Sequence, residues 1–501
     1  MQDSGSNRLL DAVPAVLTWT TLIGMVVASK FAPVWAAIFI IVFDTYWFFK
    51  TVFLSLHLRY AFRKTRANLE VDWLEKVKGL NKPWEETYHL IVIPMATESY
   101  EVMRDTFMSL GNIGYPKNKI IIVLSAEERI ADCFEIAKRI ESEFGEDFYK
   151  FLVTEHPANI KGEIVGSGSN ETWGAKEVIK LVIDKEGIPH EKILVSIFDA
   201  DTQVPKGYFA RLMYCYLTAE KPDMSSYQPI PLYNNNIFEA PALGRVVSLS
   251  ATFWHMLQQA REERVTTFSS HSMPLKALVE VGFWHTDIVS DDSRIFWQLY
   301  LHYDGDWRVV PMLYPVSMDA NVAPGFWETM KNIYKQQRRW AWGAENIAYL
   351  MKGFSKNKNI PFWKKVHWTF HKIEGFHSWA TNAILIFALG WLPIVLGGER
   401  FNQTLLSFNL PHITRIIMTF ASVGIISSAV LGMILLPPRP EWFKFRHKFL
   451  YVIQWALLPF SMIVFGAFPA IEAQTRLMLG GRFKLGFWVT PKNRSNSKTK
   501  N

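Results

Sequence analysis

The sequence predicts an α/β protein: a doubly wound, mostly parallel sheet inserted between N-terminal and C-terminal transmembrane helices, with amphipathic helices at the membrane interface. Three observations predict it. Ile193, Leu194, Val195, Ile197 and Phe198 form an almost continuous apolar run, the pattern of a strand buried on both faces. Similar runs at 90–93 and 120–124 alternate with stretches of helical spacing, which argues for parallel crossovers. Long apolar runs at both ends of the chain flank a middle of ordinary soluble composition, and each is long enough for a helix across about 30 Å of hydrocarbon.

The bulk numbers agree with a protein of more than one part. The chain has 501 residues, of which 49% are hydrophobic and 15% aromatic, with a formal net charge of +8. The positive charge is clustered beside apolar runs, at 57–66, 439–448 and 482–500. That suits the cytoplasmic edges of membrane spans and an anionic lipid surface, and no nucleic-acid partner is expected. Cys133 and Cys215 are the only cysteines and have no metal-type spacing, so neither a disulfide framework nor an oxidising compartment is implied.

The elements follow in order. Residues 1–10 are polar, without a basic region before the apolar stretch, so no cleaved signal peptide is expected. Apolar runs at 12–29 and 32–56 make a tight helical hairpin, closed at Lys30–Pro33. Asp44 within the second run needs a hydrogen bond to a neighbouring helix or a polar cavity. The basic cluster at 57–66 places the following domain, 67–360, on the cytoplasmic side. There, strands are expected at 89–94, 119–125, 151–154 and 193–198, and helices at 104–110, 130–144 and 173–183. The Gly-, Ser- and Asn-rich stretch 162–174 reads as a loop. Helices at 208–220 and 243–263 are separated by a Pro/Asn-rich connection, 229–241. Then come a loop at 268–274, a short helix at 275–281, a helix from Ser293 to Tyr300, and two late strands, Arg308-Val-Val-Pro and Leu313-Tyr-Pro-Val. A long helix at 326–350 follows.

Residues 361–486 return to apolar composition. Residues 362–379 mix Trp, Phe, Lys and His as an interfacial helix would, with spans at 380–397 and 413–436. The run 449–471 contains Pro459 and Pro469. The basic tail after it argues that this run does not cross fully. A last segment, 487–501, is aromatic and then basic.

Two aspartates, Asp199 and Asp201, close the 193–198 strand, where open α/β sheets bind ligands. Two such carboxylates can hold a hard divalent cation and, through it, a diphosphate. An ordinary strand-to-loop turn would carry the same residues. Three later motifs decide between them: Ser290-Asp291-Asp292, Gln336-x-x-Arg339-Trp340 and Phe487-Trp-Val489-Thr490-Pro-Lys492. Asp291-Asp292 also suits a helix N-cap, and Arg338 and Trp342 suit the face of an interfacial helix.

In this order the four motifs resemble the membrane-integrated, processive family 2 glycosyltransferases, such as the bacterial cellulose synthase catalytic subunit and hyaluronan synthase. The resemblance covers nearly the whole chain. It implies a GT-A-type cytoplasmic domain, a nucleotide-sugar donor, a glycan acceptor and a cofactor of Mg2+ or Mn2+. It assigns Asp201 to the metal, Asp199 to nucleotide or metal, and Asp292 to the general base, with Asp291 raising its pKa. Arg339 suits the diphosphate, and Trp340 a sugar ring at the acceptor end, with Gln336 one turn earlier. Phe487, Val489, Thr490 and Lys492 match a gating loop that reaches the nucleotide. Thr97 and Glu98, after the first strand, are expected to face the nucleotide.

The chain also departs from the family pattern. The first strand ends Pro94-Met-Ala-Thr-Glu98, and the second ends Ser125-Ala-Glu-Glu128 where an Asp pair usually reads the base. The usual Lys-Ala-Gly-Asn element is only echoed by Gly168-Ser-Asn170 and Lys176. The expected activity is inverting transfer of a sugar to a growing polysaccharide with translocation of the product. The alternative is a membrane enzyme that adds a sugar to a ceramide- or polyprenyl-phosphate-type lipid.

Overall fold

The computed structural model describes residues 8–491. Helices α1 (Arg8–Phe31) and α2 (Pro33–Leu69) form the expected hairpin, and α2 runs uninterrupted for 37 residues. Both expose large apolar side chains, among them Ile23, Val42 and Phe49, a surface suited to lipid. Asp44 is buried and hydrogen-bonds Thr414 of a later helix, as its position required.

After the short α3 (Trp73–Lys78) the sheet domain begins. Strands β1 (Tyr88–Met95), β2 (Ile120–Glu127), β3 (Lys150–His156) and β4 (Ile193–Ile197) are the expected apolar runs. They pair in parallel, with β1 between β2 and β4. Among the described residues the sheet has seven strands in the order β3-β2-β1-β4-β6-β5-β7. Strand β5 is Ser225–Tyr233, β6 is Ser272–Pro274 and β7 is Arg308–Met318. Only β6 runs antiparallel to its neighbours. Helices α4 (Tyr100–Gly111), α5 (Cys133–Phe144) and α7 (Tyr208–Thr218) cover one face around Phe107, Ile122 and Phe209. Helices α6 (Ser167–Val178), α9 (Leu275–Glu280) and α10 (Asp291–His302) cover the other around Val123, Val178 and Phe296. Helix α8 (Ala242–Gln259) packs against α2 and β5.

Several expectations change. The stretch 162–174 is not all loop: Ser167 begins α6, whose glycines admit close packing, and a Cβ on Gly174 would lie 3.0 Å from that of Ser125. The connection 229–241 begins inside β5, which the prolines disguise; Pro229 sits at a register shift between Gln228 and Ile230. The 268–274 loop ends in β6, and the two late strands are the single β7. The long helix divides into α11 (Phe326–Ala341) and α12 (Glu345–Lys356), joined by a tight turn at Trp342–Ala344.

Helix α13 (Phe362–Phe387) joins the interfacial stretch to the next apolar run. It bends by 51° into α14 (Leu392–Leu396), and α15 (Gly398–Asn402) follows. Helix α16 is Leu405–Ile434. The 449–471 run lies within α17, Phe445–Leu479, which at 35 residues is long and apolar enough to cross a membrane. Its prolines open the segments Leu458–Ser461 and Phe468–Leu479, where a missing N–H costs little. Among the described residues three helices pass this length and composition test, or four if the bent α13–α14 pair is one span.

Candidate active site

The chain winds away from β1 in both directions along the sheet, so the crevice at the carboxyl ends of β1 and β4 is a topological switch point. Asp199 and Asp201 follow β4 there. Asp199 Oδ2 accepts from Ser269 Oγ at 2.8 Å, and the Asp199 carbonyl closes a turn with Thr202 N–H at 2.8 Å. Asp201 is wholly buried, and its Oδ2 accepts from the Asp319 N–H at 2.8 Å. Asn235 Nδ2 donates to the Asp201 carbonyl and to Asp319 Oδ1. Gln203 and Ser317 exchange two backbone bonds. The aspartate loop is thereby fastened to the end of β7. The asparagine stretch after β5 is the fastener, a role its composition did not reveal.

Asp291 and Asp292 open α10 behind Ser290. Glu345 of α12 holds Ser290 by its N–H and hydroxyl, and Asn346 donates to Ser290 Oγ and Ser293 Oγ. Asp291 is buried, and Ser167 Oγ donates to its Oδ2 at 2.6 Å. Asp292 keeps about a third of its side chain in solvent. Its carbonyl accepts from Thr267 Oγ1. Burial pushes the Asp292 carboxyl well above the usual carboxylate range; Asp291 and Asp199 add to this, and Arg339 opposes it. Burial also raises Asp291. His271 Nδ1 lies 3.8 Å from Asp292 Oδ1 but is bonded to the Phe268 carbonyl. Burial pushes His271 down to about 4, so the ring faces Asp292 uncharged near neutral pH.

Glu171 joins this cluster and went unnoticed in the sequence, where it is one acid in a polar stretch. It lies one turn after Ser167 on α6, is 1% exposed, and its Oε2 has no hydrogen-bond partner among the described residues. Burial, then Asp291, Asp292 and Asp199, push its carboxyl well above the usual range. A buried acid facing three others is most stable with its proton on.

On α11, Arg339 lies with its guanidinium carbon 4.8 Å from the Phe487 ring centre, and its field reaches Asp291 and Asp292. Trp340 packs on Tyr233 with ring centres 5.7 Å apart, and Gln336 is half-buried. Arg338 and Trp342 both have partners within the protein. Arg338 pairs with Glu472 of α17 at 2.6 Å, and Trp342 is buried and donates to Glu345 Oε2 at 3.0 Å. The 484–491 segment returns to the crevice. Phe487 covers Gly166, where a Cβ would come 3.1 Å from the ring; Val489 is half-buried, and Thr490 is buried. Lys492 lies outside the described residues.

Thr97 is exposed at the mouth of β1, while Glu98 is buried and accepts from the Ala96 N–H at 2.8 Å, holding the turn. At the end of β2, Glu127 bonds His156 at 2.7 Å, and His156 bonds Glu163 at 3.0 Å. Burial works against a charged His156 ring, but the bonds to these two carboxylates outweigh it and raise its pKa. Glu128 accepts from the Ala158 N–H at 2.6 Å. Both glutamates therefore hold the loop after β3.

The crevice thus gathers Asp199, Asp201, Asp291, Asp292, Arg339 and Phe487 from four separate elements. Among the described residues no three His, Cys, Asp or Glu side chains are placed to hold a metal alone.

Comparison with known proteins adds the following. The chain is 31% identical over 90 residues to the poly-beta-1,6-N-acetyl-D-glucosamine synthase of Staphylococcus aureus (strain COL), covering 17% of this chain and 19% of the relative. It is 26% identical over 147 residues to the synthase of the same name from Staphylococcus epidermidis, covering 29% and 32%. The chain therefore matches about a fifth to a third of the length of these relatives. Among solved structures, it resembles the mannosyltransferase PcManGT from Pyrobaculum calidifontis in complex with GDP-Man and Mn2+, at TM-score 0.40 and 16% identity, over 79% of this chain and 98% of that one. It also resembles S. aureus TarS 1-349 in complex with UDP-GlcNAc, at TM-score 0.36 and 11% identity, over 68% and 90%. The family described as Glycosyl transferase family group 2 matches residues 194–468, more than half of the 501, from the β4 strand that leads to Asp199 through most of the C-terminal helices, and the chain belongs to it.

Proposed function

We propose that this glycosyltransferase is an inverting, processive polysaccharide synthase of the membrane. In this reading residues 67–360 form a cytoplasmic catalytic domain, the flanking helices hold it in the bilayer, and the product leaves through them. The observation that carries the reading is the convergence of the two aspartate pairs, Arg339 with Trp340, and the returning Phe487 segment on one crevice.

Asp199 and Asp201 would hold Mg2+ or Mn2+. The two carboxylates suit a hard cation that would take the rest of its shell from the donor diphosphate and water, since among the described residues no three His, Cys, Asp or Glu side chains are placed to hold it alone. The cation supplies Lewis-acid neutralisation of the departing diphosphate. Arg339 adds a fixed positive charge beside the same leaving group. Asp292 takes the proton from the acceptor hydroxyl. That oxygen attacks the anomeric carbon as the diphosphate leaves from the opposite face, and a single displacement inverts the centre. The raised pKa of Asp292 makes it a stronger base than a free carboxylate. Trp340, backed by Tyr233, offers an apolar face to the acceptor sugar. Phe487, Val489 and Thr490 cover the donor side, with Lys492 following.

Incubating the full chain in lipid with labelled UDP-glucose, UDP-N-acetylglucosamine and GDP-mannose, with Mg2+ and Mn2+, tests this. A polymer is expected from one of the donors. A single sugar on a lipid would replace the processive reading with the lipid-acceptor one, and transfer untouched by chelation would remove the metal.

A further inference from the structure

Helix α2 carries Arg59, Arg63 and Arg66 where its apolar stretch ends. Spacings of four and three residues put the guanidinia on one helix face. With Phe62 and Leu431 of α16 they line a recess of about 470 Å³, and Glu70 stands at its end. All three arginines are exposed, and among the described residues none has a carboxylate within ion-pair distance, Glu70 included. Other arginines have partners of their own: Arg104 pairs with Glu143, Arg308 with Glu220 and Arg338 with Glu472, while Arg139, Arg211, Arg245 and Arg339 lie over aromatic rings. Three unneutralised guanidinia in one concave place repel each other unless an anion joins them. Guanidinium forks match phosphate oxygens. The wall they share with Phe62 and Leu431 continues the apolar surfaces of α2 and α16.

We propose that this recess binds the phosphate headgroup of an anionic phospholipid, with its acyl chains lying along α2 and α16. A free phosphate would use the arginines but not the apolar wall. The recess adjoins the apolar cluster in which Leu58 and Ala61 of α2, Ile230 of β5, Phe253 of α8, and Leu431 meet. Two residues beyond Arg66, Asn68 Nδ2 donates to the Leu313 carbonyl of β7 at 2.9 Å. A lipid held here therefore braces the joint between the hairpin and the catalytic sheet. The inference rests on the reading of α2 and α16 as membrane helices. Failure of that reading would show separately, as release of the chain from membranes by alkaline carbonate.

The test uses the full chain in mild detergent, titrated with phosphatidylglycerol, phosphatidylcholine or inorganic phosphate and followed by native mass spectrometry and thermal melting. Phosphatidylglycerol is expected to be retained and to raise the melting temperature, phosphatidylcholine to do neither, and inorganic phosphate not to compete. In the Arg59→Gln/Arg63→Gln/Arg66→Gln variant, retention of phosphatidylglycerol is expected to fall about tenfold or more. The same charge loss at Lys180, Lys185 and Lys276 is expected to leave it unchanged. Equal retention by the two triple variants, equal binding of the two lipids, or displacement by inorganic phosphate would each overturn the proposal. If the arginine triple variant does not fold, Arg63→Gln is compared with Arg63→Lys: weakened retention restored by lysine supports the site, and identical behaviour overturns it.

Discussion

Gly168 lies against the side chain of Asp291. A Cβ at position 168 would come 2.8 Å from Asp291 Oδ2, 2.9 Å from its Cβ and 3.0 Å from the His285 carbonyl oxygen. The glycine is inside helix α6, where alanine would ordinarily be favoured by about 1 kcal/mol. Here the added methyl must displace the acid pair. Gly168→Ala is therefore expected to fold, by circular dichroism and melting, yet to lose transfer activity by about 100-fold, because shifts near 1 Å cost that much.

Asp292→Asn removes the proposed base. Transfer is expected to fall by about 10² to 10⁴, while donor binding, read by calorimetry, is retained. The wild-type rate is expected to drop on the acid side as Asp292 takes up a proton, at a pH above the usual carboxylate range because burial and the neighbouring acids raise it. Asp291→Asn removes one of those acids, so the acid limb should move to lower pH. An unmoved limb would separate the two carboxylates.

Glu171 gives a stability prediction with a definite sign. Its folded carboxyl titrates well above the usual glutamate value, pushed up by burial and then by Asp291, Asp292 and Asp199. The folded state therefore binds the proton more tightly than the unfolded chain. That preference stabilises the fold fully below about 4.5 and is lost as pH rises through the raised folded value. Glu171→Gln removes the titration. The variant should gain on the wild type as pH climbs from about 4.5, by up to about 1.4 kcal/mol per unit, and the gain should level off above the folded value. Melting temperatures of both proteins across pH check this.

Glu472 joins the α17 helix to the helix that carries Arg339 and Trp340. Its Oε1 accepts from Arg338 Nη1 at 2.6 Å and Arg476 Nε at 2.7 Å, and its Oε2 from Tyr334 OH at 2.9 Å. Glu472→Ala leaves these donors half-buried without their acceptor. A loss of about 1–3 kcal/mol is expected, with a fall in kcat because α11 loses its anchor. Glu472→Gln, which keeps an acceptor oxygen, should be milder in both.

What the sequence made legible followed from how locally each signal is written. Strands β1, β2 and β4 are contiguous apolar runs, so their place and burial could be read directly. Asp199, Asp201, Asp291, Asp292 and Arg339 stood out as motifs. Strand β5 was hidden by Pro229 and Pro231, which are tolerated because a register shift relieves the ladder between Gln228 and Ile230. The start of α6 was hidden by small residues chosen for close approach rather than helix propensity. Glu171, Asn235 and Glu472 acquire their roles only through partners distant in sequence, and no spacing rule reaches them. Arg338 read as a lipid-facing residue because its partner, Glu472, lies 134 positions away.

The unbroken length of α2 has a mechanical consequence. Its 37 residues span about 55 Å at 1.5 Å per residue, against about 30 Å of hydrocarbon. A helix that crosses such a layer keeps a good part of its length as a rigid strut, and the last turn of this one carries Asn68, bonded to β7. In the proposed membrane placement, the bond from Asn68 to β7 ties the height of the sheet above the bilayer to the helical rise of α2. One inserted residue would lift the sheet by only about 1.5 Å but swing it by about 100° around the strut. The register of α2 thus aims the crevice.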